Sequence, residues 1–141
     1  MNEPIKKFTT FVLDDTFVPV SFVETLIVKE GVECDVYKFV SDDSKDLAIV
    51  KVSRGYKTPL QRVLLGVKTI EGYVGGEGTL SVHFTDGTAK TYEFRSDKNA
   101  SEVVVEIGQI MQWHANGHTD LTFYEICEPP YEDGRFEDLD T

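Results

Sequence analysis

Apolar and polar residues alternate at every second position along most of this chain, and Val, Ile, Phe and Tyr hold many of the apolar positions. Successive side chains on an extended backbone point to opposite faces, so this period marks strands with one buried face. It predicts strands at Lys6 to Val12, Cys34 to Val40, Asp46 to Val52, Thr69 to Val74 and Thr79 to Phe84. Further strands follow at Thr88 to Phe94, Glu102 to Ile107, Ile110 to Ala115 and Leu121 to Cys127, while Phe17 to Lys29 holds one or two more. Short strands with turn signals at regular spacing predict an all-β sandwich or small barrel. The connections are too short for helical crossovers, so antiparallel pairing is expected.

The punctuation sharpens this picture. Asp86-Gly87 and Asn116-Gly117 each read as a two-residue type I′ hairpin turn, which needs positive φ at both central residues. Ser41 to Lys45 reads as a hairpin loop. Pro19 confines its segment to a sheet edge or a strand start, and Pro129 and Pro130 end the last strand because neither can donate to a ladder. Only Pro59 to Lys68 (PLQRVLLGVK) looks helical, and Gly66 interrupts it. Gly72, Gly75, Gly76 and Gly78 lie between two strands, where a turn explains them better than a phosphate cradle.

Composition adds limits. The chain has 141 residues, which suits one domain able to bury a core without disulfides. The expected division is peripheral N-terminal strands over 1–33, a barrel core over 34–128 and an acidic tail over 129–141. The formal charge is −11. A surface of that sign repels phosphate backbones, so nucleic acid is not an expected partner. Much of the excess falls at the end of the chain, where seven acids from Glu125 onward face one base, Arg135. No apolar run approaches the ~18 residues of a membrane span, and no signal-peptide pattern follows Met1, so no membrane is expected and the cytoplasm is. Cys34 and Cys127 have no CxxC spacing and are expected as reduced, buried thiols. Nucleophile-elbow, P-loop, HExxH and dinucleotide fingerprints are all absent.

The glycine placement goes beyond periodicity. Gly55 follows the strand Asp46 to Val52, and Glu71 is followed after six residues by Gly78 in the run EGYVGGEG. This resembles the first motif of the cupin superfamily, and GQIMQWHANGH from Gly108 lies where the second motif would fall. The closing LTFYEIC and PPYEDGRF also resemble the ends of small stand-alone cupins. The resemblance implies a double-stranded β-helix, an antiparallel jelly-roll barrel. It also implies a homodimer, since small cupins often pair through peripheral strands such as FVPVSFVETLIV.

Catalytic cupins hold iron, manganese, nickel or zinc with histidines and a glutamate inside the barrel. Here the first two histidine positions carry Gln61 and Val63, and the glutamate position matches Glu71. The last histidine position falls near His114, His118 and Thr119. A two-residue turn at Asn116-Gly117 would point His114 and His118 to opposite faces, leaving at most one inside. The resemblance therefore implies Gln61, Glu71 and His114, with His118 as substitute, as metal candidates in an isomerase, epimerase or dioxygenase type of enzyme. His83 alternates with Leu80, Val82 and Phe84, and so is expected to face solvent.

The other expectation is a pocket without metal. Gln61, Glu71, Tyr73, Gln112, Trp113 and His114 at a barrel mouth would combine ring faces with hydrogen-bonding groups, which suits a small polar or sugar-like ligand. Trp113 also fits a plain core position, because Met111 shares its face. Glu71 and His114, if they converge, would form an acid–base pair.

Overall fold

The computed structural model describes residues 7–13, 15–64, 66, 68–95, 98–99, 102–130 and 136–139. Residues 131–135 and 140–141 of the acidic tail lie outside them, as do residues 1–6 with the first residue of the earliest predicted strand.

The described residues form thirteen strands and no helix. In chain order these are β1 (Thr10–Leu13), β2 (Thr16–Lys29), β3 (Val32–Phe39), β4 (Asp46–Val52), β5 (Gln61–Val63), β6 (Lys68–Gly76) and β7 (Gly78–His83). Then come β8 (Ala89–Arg95), β9 (Lys98–Asn99), β10 (Val103–Glu106), β11 (Ile110–His114), β12 (Leu121–Glu128) and β13 (Phe136–Asp138). One sheet runs β1-β2-β3-β4-β12-β6-β10 and the other β13-β5-β11-β7-β8-β9, with antiparallel pairing throughout. No described helix is long and apolar enough to cross a membrane.

The chain passes from one sheet to the other after β4, β5, β6, β9, β10, β11 and β12, which curls the pair into a jelly roll. The glycine run is one such crossing. Gly76 has φ +84°, and its Cα faces the Asp120 carbonyl so closely that a Cβ would fall 1.8 Å from the oxygen. No L side chain fits there.

Period two sorts the large sheet into two faces. Val50, Val52, Leu121, Phe123, Val103 and Val105 point inward, where they meet Val63, Leu80, Val82, Phe94, Met111 and Trp113 of the small sheet. Leu47, Ile126, Tyr37 and Phe39 point outward into a second apolar cluster. That outer cluster is covered by the N-terminal segment: Phe8 stacks on Tyr37, and Phe11 of β1 meets Tyr124 edge-on.

The structure corrects three sequence expectations. Pro59 to Lys68 contains a strand, not a helix, because Gln61 to Val63 pair with β11 and β13. Asn116-Gly117 makes no hairpin: β11 pairs with β5 and β7, whereas β12 pairs with β4 and β6 in the other sheet. Asp86-Gly87 does join the hairpin β7–β8, but only Gly87 has positive φ, at +92°. The turn closes through Phe84 N–H to Thr88 O and Thr88 N–H to the Asp86 carboxylate, so it is longer than a type I′ turn.

Candidate functional site

A chamber of about 590 Å³ lies on the inner face of the large sheet. Its floor follows from register. Glu24 of β2 pairs with Val36, Val36 with Ala48, Ala48 with Glu125, and Glu125 with Glu71. Directly paired residues share a face, so these five form one inward row across five strands. The small residues Val36 and Ala48 leave space in the middle, and carboxylates stand towards both ends. A neighbouring row supplies Leu26, Cys34, Val50 and Phe123, and Asp46 and Cys127 flank the other side. Thr58, Pro59, Gln61 and Phe136 line it from the other sheet's side of the barrel.

Glu71 and Glu125 are direct cross-strand partners. Two like charges in that position repel, and Glu71 is wholly buried, where an isolated carboxylate is costly. Trp113 Nε1 donates to Glu71 Oε1 at 2.7 Å. Oε2 receives no ordinary donor, and neither it nor the buried Thr69 hydroxyl has a well-formed hydrogen bond. Burial first, then the Glu125 charge and hydrogen bonding to its carboxyl, hold the Glu71 pKa well above the usual glutamate range. Trp113 and Thr69 oppose that rise without reversing it. One shared proton between the two carboxyls satisfies both the repulsion and the donorless oxygen.

The Cys34 thiol takes the same influence. Burial and the charges of Glu125, Asp35 and Asp46 push it up to about 12. It is a small apolar wall group at neutral pH. Cys127 is a free, buried cysteine.

The structure distributes the sequence candidates unevenly. Gln61 reaches the chamber edge and donates to Asp138 Oδ1 at 3.0 Å. Glu71 and Trp113 meet directly. Trp113 stacks on Phe123 with centroids 4.1 Å apart and planes at 9°, and it also packs on Phe94, so its ring faces are occupied by core neighbours. Tyr73 stacks on Phe94 and donates its hydroxyl to Gly76 O. Gln112 and His114 alternate with the buried Met111, Trp113 and Ala115, so they sit on the outer face of β11. Gln112 Nε2 donates to Thr58 O at 2.9 Å. His118 is in the exposed loop before β12, with its N–H bonded to Glu77. His83 faces solvent. Glu24, Asp46 and Glu125, which sequence reasoning left out, are the acids that line the chamber. The signal for Glu125 was present: it shares a strand face with Leu121, Phe123 and Cys127.

These positions do not suit the metal that the resemblance implies. Val63 is fully buried among apolar side chains and offers no donor. His114 points away from Glu71, and one Glu71 oxygen is already bonded to the indole. Among the described residues no group of three His, Cys, Asp or Glu could hold a metal ion.

No protein-family model and no curated protein matches the chain. Solved structures do. A variant of Bacillus subtilis oxalate decarboxylase superposes with TM-score 0.67 at 20% identity, over 80% of this chain and 29% of that one. An oxalate decarboxylase structure concerned with substrate binding and reaction specificity gives 0.68 at 19% identity, over 83% and 30%. The Lactobacillus farciminis oxalate decarboxylase formate complex gives 0.66 at 18% identity, over 85% and 33%. This chain thus spans about a third of those chains or less. Such likeness, with the two curled antiparallel sheets, identifies the fold as an all-β cupin-type jelly roll.

Proposed function

We propose that this cupin-fold chain binds a small polar molecule in the chamber between β2, β3, β4 and β12 on one side and β5 and β13 on the other. The observation that carries the reading is the open volume of about 590 Å³ over Val36 and Ala48. Ligand pockets commonly fall between about 300 and 1,000 Å³, with apolar walls and a few placed polar groups. Here Val36, Val50, Phe123, Phe136 and Pro59 supply walls, while Glu24, Asp46 and Glu125 accept hydrogen bonds. Hydroxyl or amino groups on the ligand match those acceptors.

Oxalate decarboxylase of Bacillus subtilis holds Mn(II) centres in this fold. The donor set here supports no such centre, and we assign no metal-dependent step to the chain. Element analysis of untagged protein should find no stoichiometric iron, manganese, nickel or zinc. One equivalent of any of them would return the metal-enzyme reading.

Binding is tested by thermal shift with a panel of polyols, sugars, amines and small acids, followed by amide-shift mapping. A binder raises Tm in proportion to its occupancy of the native state. Shifts should centre on Ala48, Phe123 and Glu125, and Ala48→Phe should abolish them by filling the floor. A panel without any shift, or shifts mapped elsewhere, would reject the chamber as the site.

A further inference from the structure

Asn116-Gly117 is the one Asn-Gly pair in the chain, and the fold does not use it as a hairpin. It lies in the stretch without regular structure from Ala115 to Asp120, which carries the chain from β11 to β12. Both ends of that stretch are fixed. Ala115 is buried, its N–H donates to Tyr56 O at 2.9 Å, and its carbonyl accepts from Gly55 N–H at 2.8 Å. Asp120 accepts from Arg54 N–H at 2.8 Å, and Leu121 after it is fully buried. Between these anchors Asn116 and His118 are exposed.

The reactive atoms of the pair are loosely held. Asn116 Nδ2 donates to the Thr79 hydroxyl at 3.2 Å in an exposed contact. The His118 N–H is bonded to Glu77 Oε1 at 3.0 Å, whereas the Gly117 N–H has no acceptor among the described residues. A free backbone nitrogen on a residue without Cβ can approach the preceding side-chain carbonyl with little crowding. The packing also keeps glycine in place. A Cβ at position 117 would fall 2.7 Å from the Glu77 Cβ. Asp86-Gly87 shows the opposite arrangement. The Asp86 carboxylate accepts from the Thr88 N–H at 2.9 Å and the Thr88 hydroxyl at 2.6 Å, which hold its pKa below the usual range. It stays ionised and is a poor electrophile, and the Gly87 N–H is spent on Phe84 O at 3.1 Å.

We propose that Asn116 is a site of spontaneous deamidation on the folded protein, and that its isoaspartyl product loosens the crossing from β11 to β12. The Gly117 nitrogen attacks Asn116 Cγ and forms a C–N bond. The Cγ–Nδ2 bond breaks, and ammonia leaves with the proton of the Gly117 amide. Water then opens the five-membered imide, its hydroxyl going to a carbonyl carbon and its proton to the Gly117 nitrogen. Opening at Cγ gives aspartate at position 116. Opening at the backbone carbonyl gives isoaspartate, which routes the chain through the side chain and adds one backbone carbon between two fixed anchors. Either product adds a negative charge to a chain of formal charge −11, in a loop that already holds Glu77 and Asp120.

The test incubates the folded chain at neutral pH and body temperature beside the same chain in urea. Peptide mass spectrometry follows the replacement of the amide by an acid at position 116, and enzymatic methylation reads isoaspartate. Asn116 should convert in the folded chain no more than a few times slower than in urea, whereas Asp86 should isomerise at least tenfold slower when folded. Protection of Asn116 by tenfold or more on folding would overturn the site, and an unprotected Asp86 would overturn the contrast between held and free pairs. Asn116→Gln should end the reaction, because its longer side chain closes the larger ring far more slowly. Loss of ammonia from that variant at the parent rate would overturn attack by Gly117. The isoaspartyl fraction, separated by ion exchange, should melt below the Asn116→Asp variant, which carries the charge without the extra carbon, and its His118 amide should lose protection from hydrogen exchange. Equal melting of the two would overturn the loosening of the crossing.

Discussion

Glu71 concentrates the physical conflict of this protein in one side chain. Its carboxyl is inside, opposite another carboxyl, and its pKa is raised in the folded state. Unfolding restores the ordinary glutamate value. A raised folded value gives stability that is complete below the ordinary value and is lost as pH climbs through the raised one. Thermal melts across a pH series should therefore show Tm falling from the mildly acidic range upward. Glu71→Gln should flatten that fall, because the amide accepts from Trp113 and donates to Glu125 without charge. Parallel pH curves for the two proteins would contradict the assignment. Trp113→Phe keeps most of the stacking but removes the donor to a buried carboxyl, and should cost about 1–3 kcal/mol in urea unfolding. Cys34 gives a chemical check. With its thiol at about 12, roughly one molecule in ten thousand is thiolate at pH 8, so an aromatic disulfide reagent should label it roughly a thousandfold more slowly than a free thiol. Labelling of native Cys34 at the free-thiol rate would count against its burial beside Glu125 and Asp46.

Strands were legible where they are long. Asp46–Val52 matches its predicted bounds, and β3, β6, β7, β8 and β12 differ from expectation by a residue or two at their ends. What escaped were the pieces that exist only by pairing. Gln61-Arg62-Val63 is too short to show a period, and its leucine-rich surroundings favour helix locally; pairing with Met111 and Phe136 overrides that preference. Asn116-Gly117 is a sound local turn signal, but the strands on either side belong to different sheets, and Gly117 packs on the Glu77 side chain instead. Site legibility failed for the same reason. The likeness to the first cupin motif singled out Glu71; Glu125 shares its strand face with Leu121, Phe123 and Cys127, but its pairing with Glu71 follows only from the placement of β12 beside β6. Two neighbouring glycines test the crossing between sheets. Gly76→Ala meets both a positive φ and the Asp120 carbonyl, and should cost at least about 3 kcal/mol or prevent folding. Gly75→Ala has nothing within 4 Å of the added methyl and should stay within about 0.5 kcal/mol of the parent. Similar losses in both would mean that the carbonyl approach is not what requires glycine at position 76.

At the scale of the whole molecule, β2 has an open edge. β1 pairs only with Thr16 to Pro19, and beyond Val20 the described residues supply no strand on that side. Val23 and Ile27 stand exposed there. An uncovered edge of this length invites another strand, and a second copy of β2 would satisfy it by twofold symmetry. We propose that homodimer. Light scattering should give twice the 15.9 kDa chain mass, and the double substitution Val23→Lys with Ile27→Lys should halve it. A monomeric parent would remove the proposal.

The large sheet also separates two apolar clusters, one filled by Tyr37, Leu47 and Ile126 and the other hollowed around Val36 and Ala48. Destabilising change is thereby confined mainly to one side of a partition. Within the lining, Glu24, Leu26 and Val28 are exposed and Val36 and Ala48 half-buried, so these carry less of the packing than the buried Val32, Val50 and Phe123 beside them. On the binding reading proposed above, a few substitutions on β2, β3 and β4 would change what the hollow accepts without first requiring extra stability.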